Sequence, residues 1–168
     1  KFILDSGSEG LNITLMSRTG ILPEADFYCP IPWEPLEIAT PAALEAAVAQ
    51  GSDGLLDRVF ELVVQELEYA APAWCEATGL RQLTPDSIAE AWFADRLTHD
   101  PFQWAQRNLQ EVERNKREHH TVPWRYAILR LHEAIETVVP QFNDADSRRF
   151  RQGLARVFID NYAAIPPE

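Results

Sequence analysis

The sequence lacks the short motifs by which many enzymes bind a cofactor or a catalytic metal. It contains no GxGxxG, GxxxxGK[ST], HExxH or CxxC pattern, and none of its serines stands in a nucleophile elbow. No stretch approaches the roughly 20 apolar residues that a membrane-spanning helix needs. These absences exclude the commonest nucleotide, zinc and hydrolase signatures, and they indicate that the 168 residues are not catalytic on their own.

Cysteine and positive charge are also scarce. The two cysteines, Cys29 and Cys75, are too few for a disulfide framework, which favours a reducing compartment and a cytoplasmic location. The net charge is −11, and it is uneven: residues 1–100 hold 17 acidic and only 5 basic side chains, whereas residues 101–168 hold 9 acidic and 10 basic ones. The acidic part of the chain repels a phosphate backbone. We therefore expect neither a nucleic-acid partner nor a membrane partner.

Residues 1–20 differ in pattern from the rest of the chain. The sequence at 2–4 is typical of a helix end, a turn with Gly7 follows, and residues 12–17 predict a short β-strand. This order is half of a βαβ unit, and a lone strand leaves its backbone groups unpaired. We expect a sheet supplied from elsewhere, and the strand would also allow two copies of the chain to dimerise.

Residues 21–39 form a connector that is rich in proline and aromatic residues. Proline removes backbone donors and fixes φ, so the connector is not a regular helix. Its aromatic side chains indicate that it packs on something. Two alternatives remain open: the connector lies over the core, or it presents a surface to a ligand or a neighbouring domain. The residues concerned are Pro23, Pro30, Pro32, Pro35, Phe27, Tyr28 and Trp33.

Residues 40–168 predict a helical domain, and the whole chain is therefore mainly α, with one N-terminal strand. Capping residues followed by proline or acidic residues mark the helix starts, and Pro72 ends or kinks one helix, with Gly79 as a C-cap. Apolar residues recur every three or four positions between 55 and 67, with Glu61, Glu66 and Glu68 expected on the opposite, solvated face. This pattern predicts an antiparallel bundle of about five or six helices. The predicted starts are Thr40-Pro41, Ser52-Asp53, Thr84-Pro85, Asp100-Pro101, Thr121 with Pro123, and Asn143-Asp144.

One polar cluster interrupts the helical domain, at residues 118–121. It contains His119 and His120, with Arg125 downstream. Adjacent residues of a helix diverge by about 100°, so two neighbouring histidines on a helix do not face one metal ion. A metal would also need a third ligand, which the sequence does not provide. We expect either an interhelix loop in which Thr121 caps the next helix, or a loop that faces a substrate or another domain. The candidates for that second role are Trp33, His119, His120 and Arg125, and no metal ligands are predicted.

The phrase at residues 13–23, ITLMSRTGILP, resembles a strand-to-loop phrase in a family of bacterial FAD/NAD(P)-binding oxidoreductases. The stretch from Trp124 through Arg148 to Pro167 is similar to the helices that lead back to the nucleotide-binding part of that family. The resemblance implies that residues 1–20 are the edge of a nucleotide-binding α/β domain and that a helical domain is inserted after it. It also implies FAD and NAD(P) as cofactors of the parent protein. The glycine-rich motif that binds them is absent here, so no cofactor is expected in this segment.

The leading hypothesis is a helical insertion or cap domain of such an oxidoreductase, which shapes the substrate side of the cleft. Its partner would be the remainder of the parent chain, with its Rossmann-like domains. The alternative is a stand-alone helical module that binds another protein, as the aromatic connector and the uneven charge suggest. A third hypothesis, a metal-dependent helical enzyme, rests on the two adjacent histidines alone.

Overall fold

The structure is a computed structural model that describes Thr14, residues 20–29 and residues 34–162, with the side chain of Tyr162 excepted. Apart from Thr14, the predicted strand at 12–17 lies outside these residues, as does Trp33. The described part contains no β-strand and consists mostly of α-helices. The prediction of a mainly α, bundle-like fold is confirmed.

Eight α-helices occupy the described residues of the helical domain, where five or six were expected. None of them is both long enough and apolar enough to cross a membrane. Two short 3-10 turns, Leu80–Gln82 and Val139–Gln141, follow α3 and α6. The helices are α1 Pro41–Ala49, α2 Leu55–Ala70, α3 Pro72–Thr78, α4 Ile88–Leu97, α5 Pro101–Arg117, α6 Pro123–Glu136, α7 Asp144–Gln152 and α8 Leu154–Tyr162.

Three of the predicted helix starts use the expected side-chain cap. The Thr40 hydroxyl accepts from the amide of Ala43 at 3.2 Å, and the Asn143 side chain accepts from Asp146 at 2.9 Å. Asp100 accepts from the amides of residues 102 and 103 at 3.1 and 3.0 Å. Each bond satisfies an amide that has no partner inside its helix.

Three other starts differ from the prediction. Helix α2 begins at Leu55 with Gly54 at the N-cap and no side-chain cap bond, so the predicted start at Ser52-Asp53 is wrong. Thr84 and Ser87 cap each other in a turn, with the Ser87 amide 3.3 Å from the Thr84 hydroxyl, and α4 begins only at Ile88. The predicted Thr121 cap is wrong, because α6 begins at Pro123 with Val122 at the N-cap and no side-chain cap bond. Proline at the first position needs no amide partner, so the helix starts without that cap.

The two additional helices come from two breaks. Pro72 separates α2 from α3, and Gly79 closes α3 with φ of 65°, as predicted. Gly153 divides the last predicted helix into α7 and α8. A Cβ atom at Gly153 would lie 1.9 Å from the carbonyl oxygen of Pro85, so only glycine allows this close approach. The apolar period from 150 to 158 does not show this break.

The core is built around α2. All seven apolar residues of its predicted stripe are buried, and α2 packs against α1, α3, α6 and α7. Helix α8 packs against α4, α6 and α7, and it completes the core with Leu154, Val157 and Phe158. The stripe is Leu55, Leu56, Val59, Phe60, Val63, Val64 and Leu67.

The prediction that Glu66 lies on a solvated face is wrong. Glu66 is fully buried, and its carboxylate accepts from the amides of Glu37, Ile38 and Ala39 at 3.3, 2.7 and 3.0 Å. These amides belong to the end of the connector just before α1, and they would otherwise have no partner there. A carboxylate on α2 therefore holds the connector in place. The helical period itself puts Glu66 beside the apolar stripe, because Glu66 follows Val59 by seven residues and Val63 by three.

Candidate functional site: a tryptophan-lined cavity beside a buried ion network

The connector packs on the helices, which is the first of the two alternatives that the sequence left open. The amide of Ala25 donates to the Asn108 side chain of α5 at 2.7 Å. The amide of Glu34 donates to the Tyr126 hydroxyl at 3.0 Å, and Arg130 donates to the Pro35 carbonyl at 2.8 Å. The described parts of the connector are thus bonded to several helices through polar groups rather than through apolar contact alone.

Four buried charges meet where the connector crosses the domain. Arg96 of α4 donates through Nη1 to Asp160 of α8 at 2.7 Å, and its Nη2 contacts both Asp160 and Glu24 of the connector. Arg125 of α6 places Nη1 2.7 Å from Oε2 of Glu24. No side chain of the four is more than 10% exposed. Asn161 adds a bond from its side chain to the Arg125 carbonyl at 3.2 Å.

The network contains two carboxylates and two guanidinium groups, so its formal charges cancel. Burial raises the pKa of the Glu24 carboxyl, and the neighbouring charges of Arg125 and Arg96 oppose that rise. A buried charge is costly unless it is paired and hydrogen-bonded. Each member of the network therefore depends on the presence of the others.

Tryptophan side chains lie against this network. Trp74 and Trp124 stack with ring centroids 4.8 Å apart and planes at 9°, and Trp92 meets Trp124 edge-on at 5.4 Å. The Trp92 indole N–H donates to Asp160 at 2.9 Å. The Arg96 guanidinium lies 4.2 Å from the ring centroid of Trp104. The aromatic cluster and the ion network therefore form one structural unit.

A cavity of about 310 Å³ opens beside this unit. Its walls are mostly apolar, and its polar groups are few. The Thr78 hydroxyl already donates to the Trp74 carbonyl at 2.9 Å, and Arg96 and Glu24 are paired, so no activated nucleophile lines the cavity. This arrangement suits binding of a small molecule. The lining includes Trp74, Trp92, Trp104, Trp124, Leu80, Leu83 and Ile88.

The structure assigns the predicted site residues to different places. Arg125 is buried in the ion network, whereas His119 is exposed and its Nδ1 lies 2.7 Å from the Tyr28 hydroxyl of the connector. His120 is also exposed, and Trp33 lies outside the described residues. Arg125 and His119 thus contact the connector at two separate points.

His119 has an unusual backbone for a residue other than glycine. Its φ is 53°, and the amide of His120 donates to the Asn115 carbonyl at 2.8 Å. These are the features of a Schellman motif at the end of α5, in which glycine normally takes the left-handed position. The hydrogen bond to Tyr28 holds the His119 side chain and helps to offset the cost of the left-handed backbone at this position.

The part of the chain that the structure describes shows neither a cluster of metal ligands nor a reactive thiol at Cys75. No group of three or more His, Cys, Asp or Glu side chains is arranged there to hold a metal ion. Cys75 is buried, as expected for a small apolar residue, and burial raises the pKa of its thiol to about 11. The Cys75 thiol is therefore protonated at neutral pH and a poor nucleophile.

Sequence reasoning missed Glu24, Arg96 and Asp160. One signal existed, because Arg96 follows Trp92 and Ile88 by four and eight residues and so shares a helix face with two large apolar side chains. An arginine on a buried face needs a partner. Its partners lie 72 and 64 residues away along the chain, and no local pattern identifies them.

Comparison with known proteins gives a consistent result. Residues 40–162 match the model of a family described as the YdhS-like middle domain. A relative from Escherichia coli (strain K12), named Uncharacterized protein YdhS, is 65% identical over 167 residues, which are 99% of this chain. The chain spans only 31% of the length of that relative. No solved structure matches the chain significantly.

Proposed function

The chain belongs to the YdhS-like middle-domain family, and from this premise we propose that it is a helical domain inserted in a longer, cytoplasmic FAD/NAD(P)-dependent oxidoreductase. In this role it shapes the substrate side of a cleft whose cofactors are bound by other parts of the protein. The domain supplies no cofactor ligands and is not catalytic by itself. The tryptophan-lined cavity is the part that would face the cleft.

The proposal rests on one observation, which is that Glu24 and Asp160 both contact the guanidinium group of Arg96. Glu24 lies where the chain approaches the helical domain, and Asp160 lies near the end of α8, its last described helix. Both carboxylates contact Nη2 of Arg96. The chain therefore enters and leaves this domain at neighbouring points. This is the geometry that insertion into another domain requires, since the host must continue where it was interrupted.

Two further observations support the choice of host. The phrase at 13–23 resembles a strand-to-loop phrase of FAD/NAD(P)-binding oxidoreductases and is joined to the helical domain by the connector. The family is described as a middle domain, and the relative from Escherichia coli has about two thirds of its length outside the matched segment. Ample chain therefore exists in that relative for nucleotide-binding domains.

The test is a titration of the intact parent protein with FAD, followed by flavin absorbance and fluorescence. The 168-residue chain and a parent protein with residues 40–162 replaced by a short Gly/Ser linker are titrated beside it. We expect the intact protein and the deletion variant to bind FAD, and the 168-residue chain not to bind it. We also expect the deletion to abolish or redirect NAD(P)H oxidation by substrate.

Two outcomes would contradict the proposal at different levels. If the intact protein binds neither FAD nor NAD(P), the oxidoreductase assignment fails. If the deletion variant binds FAD and retains full turnover and substrate preference, the assignment survives but the cap role fails. A deletion variant that has lost its FAD site through misfolding is recognised by its circular dichroism and its melting temperature.

A protein-binding module is the second candidate, and one observation favours it. Phe102 and Leu97, on either side of the loop between α4 and α5, are 59% and 62% exposed. Large apolar side chains that remain exposed mark contact surfaces when they lie together. This candidate takes precedence if the intact protein fails to bind flavin.

A further inference from the structure

The geometry points to a binding site for a small organic cation with a flat apolar body, in the tryptophan-lined cavity. This site goes beyond the cap role, because it is built from residues of the helical domain and the connector alone. It requires no flavin or nicotinamide, so it stands or falls independently of the oxidoreductase assignment.

The size and walls of the cavity set the class of ligand. At about 310 Å³ the cavity is at the lower end of the range for small-molecule sites, so it fits a one- or two-ring compound rather than a nucleotide or a peptide. Its apolar wall combines the indoles of Trp74, Trp92, Trp104 and Trp124 with aliphatic side chains. Flat apolar rings pack well against such a wall.

The charges that line the cavity favour a cation. Two carboxylates, Glu24 and Asp95, line it against one guanidinium, Arg96. Both Nη atoms of Arg96 already donate to carboxylates, and both oxygens of Glu24 are paired with guanidinium groups. The charge that remains for a ligand is that of Asp95, whose Oδ1 lies 3.6 Å from His99 Nδ1. Asp95 is 76% exposed in its side chain and lies at the solvent side, where it can meet a charged group as the ligand enters.

The indole rings add to this preference. The face of an aromatic ring carries negative potential, and tryptophan attracts cations most strongly. The cavity shows this interaction already, since the Arg96 guanidinium lies 4.2 Å from the centroid of Trp104. A ligand with an ammonium group would therefore meet Asp95 and several indoles, whereas a ligand with a carboxylate would meet repulsion from Asp95.

The first experiment compares three ligands of similar shape and different charge by isothermal titration calorimetry on the intact protein. The ligands are tryptamine, which is cationic, 3-propylindole, which is neutral, and indole-3-acetate, which is anionic. We expect saturable binding of tryptamine with one site per chain, weaker binding of 3-propylindole, and the weakest binding of indole-3-acetate. Equal affinity for all three ligands, or tightest binding of indole-3-acetate, would overturn the proposal.

The second experiment places the ligand in the cavity with matched variants. Trp104→Leu removes a half-buried wall residue, and we expect tryptamine affinity to fall about tenfold. Its control, Phe102→Leu, alters an exposed aromatic residue of the same helix and should leave affinity unchanged. Asp95→Asn should weaken tryptamine binding about two- to threefold, and its control Glu90→Gln removes an exposed charge from the same helix without effect.

Each result decides the question. A loss of affinity confined to Trp104→Leu and Asp95→Asn supports the site. Equal losses in the controls would show that the ligand binds elsewhere, and no binding of any of the three ligands at millimolar concentration would show that the cavity is not a site of this class. Melting temperatures of the four variants separate a lost site from a lost fold.

Discussion

The apolar core around α2 and the ion network beside the tryptophan cluster are both buried, but they are assembled in different ways. The core draws on neighbours in sequence, because one helix supplies seven of its residues at helical spacing. The network draws its charges from the connector, α4, α6 and α8, with Glu24 and Asp160 more than 130 positions apart. Apolar contacts tolerate small changes of direction, whereas every charge in the network needs a specific partner.

This difference predicts that a single substitution lowers the free energy of unfolding by a different route in each region. Loss of one apolar side chain removes its own contacts and leaves a cavity, so the cost follows the size of the side chain. Loss of one charge also leaves its former partners buried without compensation. The network should therefore be the more vulnerable of the two regions to a single substitution.

The largest effect is expected for Arg96→Met. This change leaves Glu24 and Asp160 buried without their common partner, although Arg125 remains beside Glu24. We expect the free energy of unfolding to fall by about 3–5 kcal/mol, measured by urea denaturation. The matched control is Arg81→Met. Arg81 pairs with Glu68 but is 78% exposed in its side chain, so we expect a loss of less than about 1 kcal/mol. Similar losses in the two variants would show that the buried network does not differ from a surface ion pair.

In the apolar core, Leu56→Ala should cost about 3 kcal/mol. Leu56 has no exposed surface, and its backbone amide bond to Asp146 at 3.1 Å is unaffected by the substitution. The control is Leu109→Ala, at a leucine that is 38% exposed, with a smaller expected loss of about 1 kcal/mol. Urea denaturation measures both. A cost for Leu56→Ala above that of Arg96→Met would reverse the order of vulnerability proposed for the two regions.

The same comparison explains how much of the fold the sequence could predict. The stripe of α2, the caps at Thr40, Asp100 and Asn143, and the end of α3 at Gly79 follow from local rules, and they are all correct. Of the candidate site residues, Arg125 belongs to the network, but its partner could not be identified. A period of 3.6 residues describes which face of a helix is apolar, and it contains no information about distant partners.

The errors have the same origin. Glu66 was expected in solvent because it was assigned to the face opposite the apolar stripe, yet three connector amides are bonded to it. The break at Gly153 depends on the carbonyl of Pro85, which is 68 positions away. In both cases a contact between distant segments determines the role of the residue. The site was missed for the same reason, because Glu24, Arg96 and Asp160 form an ion network only when the fold brings them into contact.

Gly153→Ala tests such a distant contact. A Cβ atom at this position would lie 1.9 Å from the Pro85 carbonyl oxygen, so the turn before α4 or the junction of α7 and α8 must shift. We expect a loss of about 2 kcal/mol, in the range of overpacked sites, measured by thermal and urea denaturation. The neighbouring exposed position provides the control, and Gln152→Ala should be within about 0.5 kcal/mol of the wild type. An unaffected Gly153→Ala variant would mean that the two segments separate easily.

A smaller effect is expected at His119, where backbone and side chain have opposite preferences. His119→Ala keeps a residue with φ of 53° and loses the bond to Tyr28, whereas His119→Gly loses the same bond and relieves the backbone. The glycine variant should therefore be more stable than the alanine variant by about 1 kcal/mol. The comparison of the two melting curves cancels the contribution of Tyr28. Equal stability would show that the end of α5 adopts a different conformation.

The smallest effect concerns an ion cluster at the surface, which contrasts with the buried network. Arg149 lies 2.8 Å from both Asp57 and Asp86 and 3.0 Å from the buried Asp146. Its hydrogen bonds lower the pKa of the Asp57 and Asp86 carboxyls below the ordinary value of 3.8. A folded pKa below the unfolded one contributes stability above the unfolded pKa, and this contribution is lost as the pH falls through the folded pKa. Both aspartates are more than half exposed in their side chains, so solvent screening limits their contribution to less than about 1 kcal/mol.

The stability gap between the wild type and Arg149→Gln should therefore be largest above about pH 5 and narrow towards pH 2–3, as measured by urea denaturation at each pH. Arg148→Gln, at the exposed neighbour, should show a gap that does not change with pH. If the gap for Arg149→Gln is equally constant, the cluster owes its stability to packing of the arginine rather than to its charge, and the surface and buried clusters would then differ in kind as well as in strength.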